Sequence, residues 1–153
     1  MKQFLVVGHL RKIVTLYIVA AVFLLNLMAC AGIPISYYDS TTYTQLTSLK
    51  AETTTLVESF DTKSYTDNQK KIEETTLNIK KAYEYEKGKG EPNSDTTKQF
   101  KKIYDLFMDD VKEYKEGQAE ELGKKYFREA AVALGQAFDI AISTENLKNK
   151  DKR

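Results

Sequence analysis

From Tyr43 to Ile142 the apolar residues of this chain return in steps of three and four, and no proline falls inside any run in which they do so. That spacing matches one face of an α-helix and not the alternation of a half-buried strand. It is clearest in Phe100, Ile103, Tyr104, Phe107, Val111 and Tyr114, which place a continuous apolar stripe on a segment running from about Asp95 to Lys115.

Three more segments follow the rule. The first, about Asp39 to Phe60, carries Tyr43, Leu46, Leu49, Thr53, Leu56 and Phe60, with Asp39 or Ser40 as its N-cap. Its threonines favour a helix least, because β-branching restricts χ1 against the preceding turn. The second, about Tyr65 to Lys87, opens on a Ser64-x-x-Asp67 capping pattern and stripes Tyr65, Ile72, Ile79 and Tyr83. Gly88-Lys89-Gly90-Glu91-Pro92-Asn93 stops it. The fourth, about Ala119 to Leu147, is apolar nearly all round from Ala130 to Ser143. Gln136, Asp139 and Ser143 mark a narrow wet face, so this segment is expected to be the most buried, with Ala130, Ala133, Gly135, Ala137 and Ala141 admitting close neighbours. The expected fold class is all-α, an up-and-down antiparallel four-helix bundle over residues 39–147. A three-helix arrangement with the Thr-rich segment irregular is the rival.

The N-terminus has a different pattern. Residues 1–12 carry Lys2, Arg11 and Lys12 and no acid, and the 17 residues from Ile13 to Ala29 are apolar apart from Thr15, Tyr17 and Asn26. Positive, then apolar, then small is the layout of a secretory signal peptide. The run also just reaches the length of a short membrane-spanning helix, about 17 residues, so a retained anchor helix stays open.

Leu27-Met28-Ala29-Cys30 closes that run, and Cys30 is the chain's single cysteine. The motif resembles the lipobox of bacterial lipoprotein precursors, Met28 being bulkier than the residue commonest there. The resemblance implies that residues 1–29 are removed by cleavage between Ala29 and Cys30 and that Cys30 carries a diacylglycerol thioether, often with a further acyl chain such as palmitate on the new amino terminus. Two or more chains give stable anchoring, where one gives marginal binding. Ala31 after the cysteine, rather than Asp, resembles the pattern of lipoproteins sent on to an outer membrane where the host has one. The expected partner is therefore membrane lipid through acylated Cys30, in the cell envelope. Residues 30–38 form the lipidated N-terminus and a short tether, and residues 148–153 a basic tail.

Removal of residues 1–29 takes three of the 23 basic residues and none of the 22 acidic ones, which leaves the remainder slightly acidic. Lysines and glutamates are interspersed, the look of solvated helix faces and not of a nucleic-acid surface. His9, the only histidine, and any second thiol are missing beyond Cys30, so no haem, zinc or di-metal ligand set is expected and no cofactor is assigned. The pairs Glu73-Glu74, Asp109-Asp110 and Glu120-Glu121 are adjacent residues about 100° apart on a helix and do not share a site on their own. The expectation is a non-enzymatic interaction or structural module that meets an envelope protein or polymer. The alternatives are a binder of a small apolar molecule between helices and, behind it, a carboxylate-dependent hydrolase. Lys87, Lys89, Lys148, Lys150, Lys152 and Arg153 gather at the end of the bundle expected to lie near the membrane, and are the candidate membrane-facing basic residues.

Overall fold

The computed structural model describes residues 36–117 and 125–148. The signal segment, Cys30, residues 119–124 of the expected fourth helix, and Lys150, Lys152 and Arg153 lie outside the described residues. Those described form an all-helical, bundle-like fold of four long helices: α1 (Ser40–Glu58), α2 (Tyr65–Gly88), α3 (Ser94–Lys115) and α4 (Tyr126–Leu147). Short 3₁₀ turns, Ser59–Asp61 and Glu91–Asn93, follow α1 and precede α3. Among the described residues no helix is long and apolar enough to cross a membrane.

The Thr-rich segment is helical, which removes the three-helix alternative. Thr47, Thr53 and Thr54 turn their hydroxyls back onto the carbonyls of Tyr43, Leu49 and Lys50, at 3.0, 2.8 and 2.8 Å. That bond satisfies a hydroxyl inside the helix, so these three threonines pack without orphaned hydroxyls. Asp39 caps α1 by accepting from the Thr41 amide, and Ser64 with Asp67 forms a full capping box on α2.

Each helix is packed against its two neighbours. Thr42 on α1 donates to Glu86 on α2, Asn68 on α2 to Tyr114 on α3, and Gln99 on α3 to Thr144 on α4, so the start of each of α1, α2 and α3 meets the end of the next helix. α1 and α4 approach closely at Gly135, which has no side chain, so that Thr54 Cγ2 comes within 3.5 Å of where a Cβ would stand.

The buried stripes repeat in steps of four and three: Thr42, Leu46, Leu49, Thr53 and Leu56 on α1; Asn68, Ile72, Thr75, Ile79, Ala82 and Glu86 on α2; Phe127, Ala131, Leu134, Phe138, Ala141 and Glu145 on α4. A period near 3.5 is that of helices packed along a shared seam. Phe100, Phe107 and Phe138 are fully buried at its centre. One end is closed by rings: Phe60 stacks on Tyr114 with centroids 3.9 Å apart, and Phe127 meets both edge-on.

Two expectations about α4 need correction. Its first described helical residue is Tyr126, with Lys125 at the cap. Its wet face is also wider than Gln136, Asp139 and Ser143, since Val132 and Ile140 are exposed as well. The reason is geometric: α4 touches two neighbours, α1 and α3, and a helix at the corner of four keeps an outer side whatever its composition.

Candidate functional site

At the end of the bundle opposite the rings, the buried stripes run out of apolar residues and end on charge. Glu86 and Glu145 are wholly buried, and Lys148 nearly so. The Glu86 carboxylate accepts from Thr42 Oγ1 at 2.6 Å, from Asn93 Nδ2 at 2.7 Å and from the Lys89 ammonium at 3.0 and 3.1 Å. Lys89 reaches Asp39 too, at 2.8 Å. Glu145 holds Lys148 at 2.7 Å and accepts the Asp39 backbone amide at 2.6 Å.

Asn93 joins these two ion pairs. Its amide nitrogen donates to Glu86, while its oxygen accepts from Lys148 Nζ and from Ser36 Oγ, both at 2.8 Å. The Ser36 amide also donates to the Pro92 carbonyl at 2.9 Å. Four helix ends, the incoming chain at Ser36 to Asp39, and the outgoing chain at Lys148 are thus fastened in one network. A buried ion pair offsets its desolvation only with such additional hydrogen bonds.

Local geometry explains how the parts arrive there. Gly90 has φ 78°, a left-handed value that lets α2 stop and the chain double back, so that Lys89 and Asn93 both face the bundle end. Partial burial opposes ionisation of Asp39, yet hydrogen bonds from Lys89, Tyr85 and Thr41 hold its carboxyl well below the usual carboxylate range. Burial likewise works against the Lys89 charge, but Asp39 and Glu86 outweigh it and raise that group above an ordinary lysine. Tyr85 donates to Asp39 at 2.7 Å, and its ring lies 4.5 Å from the Lys89 ammonium.

Among the basic residues expected to face a membrane, the structure separates three. Lys87 is exposed, its ammonium 3.7 Å from Glu84. Lys89 and Lys148 are not presented outward: their side chains are 21 % and 5 % exposed and their ammonium groups are engaged within the network. A buried carboxylate beside each lysine is a stronger partner than solvent, which is why they turn inward.

A second feature lies at the ring-closed end. Asp110 on α3 is 8 % exposed, and burial, followed by the nearby Asp109 and Glu113, pushes its carboxyl up to about 6. Burial, followed by the same three carboxylates, raises the Tyr126 phenol across the α3–α4 seam. Two open grooves flank α3: one beside α2 between Tyr83 and Tyr104, edged by Lys80 and Lys101, and one beside α4 under Ile140.

The sequence singled out neither Glu86 nor Glu145. The signal was present, since continuing the α2 stripe from Ile79 and Ala82, or the α4 stripe from Phe138 and Ala141, lands on them at the next step. Asn93, Asp39 and Ser36 carry no such periodic mark. No protein-family model, curated protein or solved structure matches this chain.

Proposed function

We propose that this protein is a lipid-anchored component of a bacterial cell envelope, an up-and-down antiparallel bundle that serves as a non-catalytic interaction or structural module. The observation that carries the reading is the nearness of two features along the chain. The lipobox-like run ends at Cys30, and the network begins at Ser36. Six Cα steps reach at most about 20 Å, so an acyl group on Cys30 holds the charged end of the bundle close to the bilayer. A tether fastened to four helix ends passes the position of its anchor to the whole bundle. If the host has an outer membrane, Ala31 favours delivery there.

Two alternatives are weaker. A small apolar ligand between the helices competes with Phe100, Phe107, Phe127 and Phe138, which occupy the centre. A hydrolase would draw on Asp110, but the adjacent Asp109 points about 100° away around the helix, and Glu113 is the only other acid acting on it among the described residues.

Cys30→Ala tests the reading. In a bacterial host the variant is expected to remain an uncleaved precursor, seen as a larger species by intact mass and without incorporated labelled fatty acid. Processing to the normal mature size would overturn the lipoprotein reading.

A further inference from the structure

The α3–α4 face combines two features, an open groove and a run of carboxylates. At its middle an open groove of about 350 Å³ is lined by Leu106 of α3 and by Ala133, Ala137 and Ile140 of α4, with Gln99 and Lys102 at its edge. Ile140 leaves 62 % of its surface in solvent. The buried Gln99 side-chain oxygen accepts no hydrogen bond, although its nitrogen donates to Thr144. An exposed apolar surface of this kind is one that an occupant can cover.

Further along, Asp109, Asp110 and Glu113 continue this face three, four and seven residues beyond Leu106. The ion pairs of α3 are Lys98–Asp95, Lys101–Asp105 and Lys112–Glu116, and these three carboxylates have none among the described residues. They stand in the C-terminal half of α3, where the helix dipole already disfavours negative charge. Across the seam, Tyr126 feels all three. Lys125 and Glu129, the other charged groups at that end of α4 on this side, make no ion pair with described residues either.

From this juxtaposition we infer that the α3–α4 face docks a basic amphipathic helix of a partner protein. Its apolar side enters the groove at Leu106, Ala133 and Ile140, and its lysines or arginines meet Asp109 and Glu113 above the largely buried Asp110. From Ile140 to Tyr126 is about 21 Å along α4, which calls for roughly 14 residues of helix. The same carboxylates repel an anionic bilayer. Copies anchored in one membrane would set their acidic ends side by side, which disfavours a second copy. The inference rests on the interaction-module reading and names its partner class.

The test uses the full lipidated chain in phosphatidylcholine nanodiscs and an 18-residue Lys/Leu/Ala amphipathic peptide without tyrosine, alongside its counterpart with Glu for each Lys. Empty nanodiscs give the peptide's own bilayer binding, which is subtracted. With nine of the ten tyrosines lying beyond Cys30 and no tryptophan, tyrosine fluorescence reads the bundle. The basic peptide is expected to bind saturably and more weakly as salt rises, and the acidic one not to bind. Asp109→Asn with Glu113→Gln, and separately Ile140→Ser, are each expected to weaken binding about tenfold with the far-UV spectrum unchanged.

Asp110→Asn gives the sharpest separation. The folded chain holds the Asp110 proton up to about pH 6 while the unfolded chain releases it near 3.8, so the stability due to this group is complete below that lower value and lost as pH rises through 6. Asparagine removes that loss. The melting temperature at pH 7.5 is therefore expected to rise while peptide binding falls, a split that a merely structural residue does not show. Equal binding of both peptides, binding that ignores these variants, or none beyond empty nanodiscs overturns the inference, as does self-association of the chain that Ile140→Ser abolishes. A chain lipidated at Cys30 that binds neither peptide refutes the docking face and leaves the anchored-module reading standing.

Discussion

Replacing Glu86 by alanine is expected to cost about 3 to 5 kcal/mol, the range for breaking a buried ion pair from one side. The carboxylate is fully buried and receives Thr42, Lys89 and Asn93. Without it, Lys89 keeps Asp39 as its only carboxylate, and the Thr42 hydroxyl and Asn93 nitrogen lose their acceptor in a place water does not easily reach. Domains of this size are stable by only about 5 to 15 kcal/mol, so the variant stands near the edge of folding. Denaturant melts in nanodiscs or mild detergent measure it. A loss under about 1 kcal/mol would show that the network is loose in solution and does not fasten the helix ends.

An effect of the same size is expected at the centre of α4. Phe138 has no exposed surface, and Phe138→Ala removes a ring from a packed seam between helices. The transfer and cavity contributions together amount to about 3 to 5 kcal/mol. Its neighbour Asp139 differs, although it pairs with Lys50 at 2.5 Å, because its side chain is 59 % exposed. Exposed ion pairs contribute about 0 to 1 kcal/mol, so Asp139→Ala is expected to be nearly neutral. Equal losses from the two substitutions would mean that α4 is rotated by about 100° from the orientation described.

How the fold was encoded is visible in these two residues. Phe138 lies on an apolar stripe that any helical reading finds, and the stripes of α1 and α3 came out with the correct faces for the same reason. Glu86 lies on a stripe too, yet a pattern that counts only apolar residues halts one step before it. The network escaped notice because burying a glutamate is favourable only when its partners are in place, and Lys89, Asn93 and Thr42 come from three separate stretches of chain. Lys89 and Lys148 are expected near the membrane from their place at one end of the bundle, and a count of basic residues does not show that their ammonium groups pair inward with Glu86, Asp39 and Glu145. The width of the wet face on α4 was also missed. Composition says how apolar a helix is, whereas the number of helices packed against it decides how much of it is covered.

The central claim is that the charged end of the bundle sits at the membrane, held there through Cys30. Spin labels read this directly. Cys30 is the chain's single cysteine and would be blocked by its acyl group, so a label attaches only where a new thiol is introduced. Glu91→Cys places it in the exposed turn beside the network, and Asp61→Cys at the other end of α2, whose 24 residues span about 36 Å. With a paramagnetic relaxation agent carried on lipid headgroups, the account predicts strong relaxation at Glu91→Cys and little at Asp61→Cys. Equal relaxation at both positions, or the reverse order, would contradict it.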